Sequence, residues 1–350
     1  MRAHLLLGLG LLAAAQGVAW GILAPARAAA SPVATAGVEA VTPGELTGTL
    51  LLGGFRGLAC DLLWMRADGA KQAGRFYESV ALFEAISRIQ PRFEQPWQFM
   101  AWDLAYNLSH EVQERQAKWA WVVAGIRTAV RGCERNPQSE RLLRHLAWIF
   151  HHKGDLFHDE IEAATWAGLL NPVIERINRQ VDAAHQVALL PAGPGASNFT
   201  VALTLNRACI ALADGRPGGQ LKYQFLRRMV PLGIESDGNI LRNKSRHLAA
   251  LRRYLEALRE WQVVQAWAEV EKADDPERHQ RQVAKTSIAM NEGRLRRKAA
   301  SLAAALAPTG ASETVQAAIM ARDWTTLDRQ LAQPGWLEVR REGRIRWLDE

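Results

Sequence analysis

The sequence predicts an all-α protein: stacked helix pairs in its first half, a long helical hairpin in its second, and a short β-hairpin at its end. Three observations carry this. A pattern of small residues, aromatics and a closing Gln-Pro or Asn-Pro recurs three times between residues 57 and 172. Two long helical patterns, 239–272 and 276–306, meet at the stop-and-start signal Asp274-Asp275-Pro276. The last segment alternates apolar and charged residues around Glu342-Gly343.

In the first unit Gly74, Phe76, Ser79, Phe83, Ile86 and Gln90-Pro91 fall at the spacing of the second half of a tetratricopeptide repeat. The glycine turns the chain between two antiparallel helices, small residues let them approach, and the proline stops the second. The third unit repeats the scheme with Ala147 in its first helix, Gly154 at the turn and Asn171-Pro172 closing its second helix. The middle unit opens with Trp97, Ala101 and Trp102 and closes with Asn136-Pro137. It is about a dozen residues longer than the usual repeat, and the excess is assigned to Ser109–Glu114. Helix pairs of this kind bury their apolar faces by stacking, so residues 43–190 are read as a TPR-like solenoid whose concave side holds a peptide or partner helix.

At the amino end Arg2 and His4 precede an apolar run from Leu5 to Leu23, and Ala28 and Ala30 fit an A-x-A cleavage site before Ser31. Residues 1–30 are therefore a signal peptide or a membrane anchor, since a run interrupted only by Gln16 also approaches the ~20 residues that span a bilayer. Retention as an anchor is preferred, because a membrane-tied scaffold needs no other device to hold it there. Residues 31–42 are a tether, and Thr42-Pro43-Gly44-Glu45 starts the helix that leads into the repeats.

Composition, with 48% hydrophobic residues in a 350-residue chain, supplies ample core for one or two globular domains and excludes a disordered protein. Three cysteines, Cys60, Cys133 and Cys209, are an odd number in a chain too large to need staples, and read as buried apolar residues. No G-x-S-x-G, Walker loop, G-x-G-x-x-G after a strand or C-x-x-C-H is present, so no enzyme and no cofactor are expected. His151, His152, His158, Asp159, Glu160 and Glu162 have metal-ligand chemistry but no recognised spacing, and are read as a wet, polar turn without metal. Seven of the thirteen tryptophans lie between Trp64 and Trp166 and are assigned to packing between helices.

In the leading helix, Arg56, Asp61 and Arg66 stand in an apolar setting, where Arg56 or Arg66 would pair with Asp61 or Asp68, or form a contact surface for a membrane partner. Gly53-Gly54-Phe55-Arg56-Gly57, Leu63-Trp64-Met65-Arg66-Ala67, Gln90-Pro91-Arg92-Phe93, Trp97-Gln98-Phe99-Met100-Ala101-Trp102 and Leu104-Ala105-Tyr106-Asn107-Leu108-Ser109 together resemble a family of bacterial membrane-associated proteins with TPR-like repeats. The likeness covers about residues 45–172 and implies an exported, anchored helical-repeat protein with no known reaction. Asp103 stands where that motif would carry Asn. The implied location is the bacterial cell envelope: anchored in the inner membrane facing the periplasm, or secreted to the periplasm if the leader is cleaved.

Residues 191–197, with Gly193-Pro194-Gly195, read as a linker to a helical domain over 198–332. Its long helices carry much of the +7 net charge, in Arg242, Lys244, Arg246, Arg252, Arg253, Arg259, Arg294, Arg296, Arg297 and Lys298, a face for lipid head groups or an acidic partner, or simply a solvated surface. Nucleic acid is not expected as a partner. Residues 333–350 are read as the β-hairpin tail, with Trp336 opposite Trp347. The chain is thus expected to be a scaffold for protein partners in the envelope, with Arg56, Asp61, Arg66, Trp97, Trp102, Asn107, Arg246, Arg252 and Arg253 as contact residues. Its rival is an extracytoplasmic protein that binds a metal or small ligand.

Overall fold

The computed structural model describes residues 55–157, 163–191, 197–214, 224–269 and 278–337. Among them the chain is all-helical, with no β-strand, and no helix is long and apolar enough to cross a membrane. The leader, the tether, His158–Glu162 and the hairpin beyond Leu337 lie outside these residues. The chain divides into two compact units, Met1–Asn136 and Pro137–Glu350.

In the first unit, α1 (Arg56–Gln72) and α2 (Phe76–Ile89) pack as a helical hairpin. Gly74 takes φ +72° at the turn, the left-handed region glycine enters without cost, and Arg75 N–H returns to Ala70 O at 2.9 Å. Ser79, Phe83 and Ile86 are buried on α2, and Cys60, Ala67 and Ala70 on α1. Next come α3 (Glu94–Trp102), which continues through a π-helical turn (Asp103–Leu108) to Glu111, and α4 (Arg115–Arg135). The length expected in a Ser109–Glu114 loop is instead taken up by this extended α3, leaving only Val112–Glu114 to turn the chain. Gly125 permits the close approach of α3 and α4, because a Cβ there would lie 2.7 Å from Ala101 O and 2.8 Å from Ala105 Cβ. Asn136 caps α4 and donates to Pro91 O at 3.2 Å, so the two proline-bearing junctions are tied together.

The second unit departs from the repeat scheme. Gly154 lies inside α5 (Glu140–Phe157), and Pro172 lies inside α6 (Ala163–Asn178) instead of ending it. An interior proline costs about 3 kcal/mol. Burial of Leu170, Val173, Ile174 and Ile177 outweighs it, at about 1.5–3 kcal/mol for each large apolar side chain. After α6 the chain reaches α7 (Asn198–Asp214), which packs extensively on α5. α5 and α7 lie in the same compact unit.

The pattern expected as one helix over 239–272 is broken at Ser245, which takes φ +60°. Its first residues belong to α8 (Gln224–Asn243) and the rest to α9 (His247–Glu269). α9 and α10 (Arg278–Leu306) do form the expected hairpin: Arg281 donates to Trp267 O, and Lys298 Nζ sits 4.8 Å from the Tyr254 ring, so the helices run antiparallel. This hairpin is no projecting arm. Tyr254, Leu258 and Trp261 pack with Leu295, Leu302 and Leu306 in a core completed by α11 (Ser312–Ala321) and α12 (Trp324–Leu331). Trp336 donates its indole N–H to Gln330 O at 3.0 Å, and Leu337 N–H bonds Leu306 O at 2.9 Å, which fixes the chain to α12 and α10 there.

The α5 core contains a titrating group. Burial, with the Arg144 charge adding to it, lowers the His145 imidazole from 6.5 to about 4. The unfolded chain takes its proton near pH 6.5 while the folded chain resists until about pH 4. This contribution to stability is therefore complete above pH 6.5 and falls, by on the order of 2–3 kcal/mol, as the pH drops toward 4. Urea titrations at pH 7 and 4.5 test this: the loss between them should shrink in His145→Gln, and an unchanged loss would remove His145 as its source.

Candidate functional site

The expected contact residues of the first unit separate into surface and core. Asp61 and Arg66 are exposed on α1, but they do not pair. Arg66 reaches Glu78 of α2 at 2.9 Å, while Arg75 takes the other carboxylate oxygen at 2.9 Å. Hydrogen bonds from Arg75 and Arg66 hold the Glu78 carboxyl below its ordinary range. Asp68 accepts from Gln72, and Asp61 makes no hydrogen bond or ion pair among the described residues. Arg56 is half-buried.

Trp97 is buried and donates to Pro91 O at 2.9 Å, so it closes the α2–α3 junction and is not a contact surface. Asn107 likewise points inward, donating to the fully buried Asp103 at 2.7 Å. That carboxylate also accepts from Ser79 at 3.0 Å and pairs with Lys71 at 3.1 Å, joining α1, α2 and α3. Trp102 is 37% exposed and stacks on Tyr106 at 4.0 Å. Trp64 packs against Phe83, Phe93 and Phe99 at 5.1–5.4 Å.

The apolar surface of this unit lies elsewhere. Phe55, Leu58, Leu62 and Met65, spaced by three and four residues along one face of α1, are 51%, 54%, 55% and 63% exposed. Four large apolar side chains in one stripe mark a contact surface more strongly than scattered ones.

In the second unit, much of the expected basic face is neutralised internally. Arg253 pairs with Asp237 and Glu256, each at 2.7 Å. Arg294 and Lys298 converge on buried Glu235 at 3.0 and 3.4 Å, and Lys298 donates to Asn239 at 2.6 Å, which also accepts from the Tyr254 hydroxyl at 2.8 Å. Burial lowers the Lys298 ammonium and raises the Tyr254 hydroxyl from their usual values. Arg296 and Arg322 share Glu292. Arg246 and Arg252 remain exposed.

His151 and His152 stack on Trp148, and His151 also meets Phe199 edge-on at 5.3 Å. No group of three or more metal-ligating side chains gathers among the described residues.

A feature the sequence did not disclose follows α6. Asp182 accepts from His185 N–H at 3.1 Å and caps a short turn, and its hydrogen bond with the His185 ring lowers its own carboxyl from the usual value. Gln186 takes φ −64° and ψ 141°, in the polyproline II region, and residues 186–191 continue outside any helix. Asn178 binds both backbone groups of Val187, donating to its O at 2.8 Å and accepting from its N–H at 2.9 Å. Asn171 does the same for Leu190, at 3.1 and 2.9 Å. The two asparagines, seven residues apart, stand ~10.5 Å apart along a helix. Asn171 and Asn178, seven residues apart on α6, thus hold Val187 and Leu190, three apart on the strap. Leu190 is buried and Val187 half-buried, while Ala188 and Leu189 face out.

The strap forms one wall of a cavity of about 390 Å³. The other walls are Thr204, Arg207 and Ile210 of α7, Arg227 and Val230 of α8, and Glu260, Val263 and Val264 of α9. The volume is that of a small binding pocket. Arg207 pairs with Glu260 across it. Arg227 is held by both oxygens of Asp214, at 2.6 and 2.9 Å, with its guanidinium 5.1 Å from the Trp267 ring. The interior is aliphatic and the rim charged, a surface for binding.

No family model, curated protein or solved structure matches this chain.

Proposed function

We propose that the chain is an exported helical-repeat scaffold, anchored by its leader, that mediates protein–protein interaction in a bacterial cell-envelope assembly. The observation that carries this reading is the exposed stripe Phe55, Leu58, Leu62 and Met65 on the first described helix. It lies C-terminal to a run from Leu5 to Leu23 that has the composition of an anchor or export signal. A stripe of this size beside Arg56, Asp61 and Arg66 suits an apolar partner with a charged margin. Helix pairs such as α1 and α2 suit a TPR-like array, and the work of such a protein is positioning, with no reaction of its own.

The test is chemical cross-linking of the full-length protein in its native membranes, followed by stringent purification and mass spectrometry. A defined partner set in fixed proportion, lost in Leu62→Glu/Met65→Glu with the fold intact by circular dichroism, is the expected result. Purification of the protein alone would overturn the reading. The cavity beside the strap favours a second reading, an extracytoplasmic protein for a small ligand, which would show as a tightly retained molecule in the purified protein.

A further inference from the structure

The strap uses only one side of its backbone. Val187 and Leu190 spend their N–H and C=O groups on Asn178 and Asn171, whereas the peptide groups of Ala188 and Leu189 make no hydrogen bond among the described residues. Ala188 also lines the cavity. Peptide groups with no partner among the described residues, beside an aliphatic pocket, are groups to which the main chain of a bound peptide can pair while one of its side chains enters the pocket.

The charges at the rim narrow what that segment carries. Arg207 and Arg227 line the cavity together with one carboxylate, Glu260. Arg227 is committed to Asp214 and to Trp267. Arg207 is not: one of its terminal nitrogens bonds Glu260, its side chain is 43% exposed, and its other N–H groups have no partner among the described residues. A guanidinium offers five donors in a fork that fits a carboxylate, so Arg207 can keep Glu260 and hold a second acid.

We propose that this cavity is a docking site for an extended segment of a partner protein in which an aliphatic residue, seated among Ile210, Val230 and Val264, lies next to an acidic residue bound by Arg207. The inference rests on the scaffold reading and gives its partner a chemistry.

The test is selection of a random-peptide phage library on the immobilised full-length protein, with affinities of the selected peptides measured by fluorescence anisotropy. Enriched peptides are expected to place Leu, Ile or Val beside Asp or Glu. Val263 lines the cavity and is 61% exposed, so Val263→Trp fills the opening without disturbing the core and should weaken binding by about ten-fold or more. Arg207→Glu should abolish the preference for acids. Glu260→Gln, which removes the competing carboxylate, should tighten binding of the acidic peptides. Enrichment of no motif, or peptides that bind Val263→Trp as well as the parent, would overturn the proposal. So would an apolar dye, anilinonaphthalene sulfonate, that binds with sensitivity to Val263→Trp where no peptide does, since the cavity would then serve a small ligand. A cross-linked partner set that survives Val263→Trp sinks this proposal alone, whereas the absence of any partner set sinks the scaffold reading with it.

Discussion

Replacing Asn171 and Asn178 together by alanine is expected to release residues 187–190 and collapse the cavity they wall. Each asparagine makes two hydrogen bonds to one strap residue, and its loss leaves backbone groups of Val187 or Leu190 without their partners. An unmade bond of this kind costs about 1–3 kcal/mol, so the double variant should lose roughly 2–5 kcal/mol, with the larger share where Leu190 is buried. Hydrogen exchange at the Val187 and Leu190 amides is the direct readout: both should exchange far faster in the double variant while amides of α9 stay protected. Asn171→Asp keeps the acceptor and loses the donor, so it should fall between. Unchanged exchange at both amides would mean that the pairing does not hold the strap.

Breaking the buried charge cluster should cost as much. Glu235 is buried, and Lys298 and Arg294 of α10 both depend on it. Glu235→Ala leaves Lys298 in a low-dielectric site with Asn239 and the Tyr254 ring for company, and removal of one partner from a buried pair costs about 3–5 kcal/mol. Replacing both, as Glu235→Leu with Lys298→Met, should be close to neutral, because the desolvation cost vanishes along with the attraction. Urea midpoints of the two variants decide the matter. Equal losses in both would mean that the side chains act through packing alone.

This cluster shows why the second half of the chain reads poorly from sequence. Arg294 and Lys298 sit in a visibly basic stretch, but the carboxylate that neutralises them lies 59 and 63 residues earlier on another helix. The exposed residues Arg246 and Arg252 and the internally paired Arg253 look alike along the chain, and only the placement of Asp237 and Glu256 separates them. The first helix pair was legible because its signals are local: Gly74 is needed at a positive φ, and Phe83 and Ile86 follow it at helical spacing. Gly154 and Pro172 carry the same residue types without the same consequence, since burial along α5 and α6 outweighs the propensity to turn. Ser245 interrupts the long pattern with none of the usual breakers, and Leu241 and Leu248, seven residues apart, keep the apolar periodicity running across it.

The candidate sites divide in the same way. Phe55, Leu58, Leu62 and Met65 have the periodicity of a buried face, and nothing in their spacing distinguishes burial from exposure. The asparagine grip was hidden because its partners lie 9 and 19 residues on along the chain, and the proline beside Asn171 suggested an end to the helix instead of a continuation. The pocket walls come from residues between His185 and Val264, gathered by three helices and the strap.

The most direct measurement of the central claim is site-specific photo-cross-linking from Leu62, with benzoylphenylalanine incorporated there in the full-length protein in its native cells. One discrete protein adduct, or a small fixed set, is expected, and it should be absent when the same group is placed at a buried position such as Phe83. Adducts only to lipid, or none at all from an exposed and correctly folded α1, would contradict it.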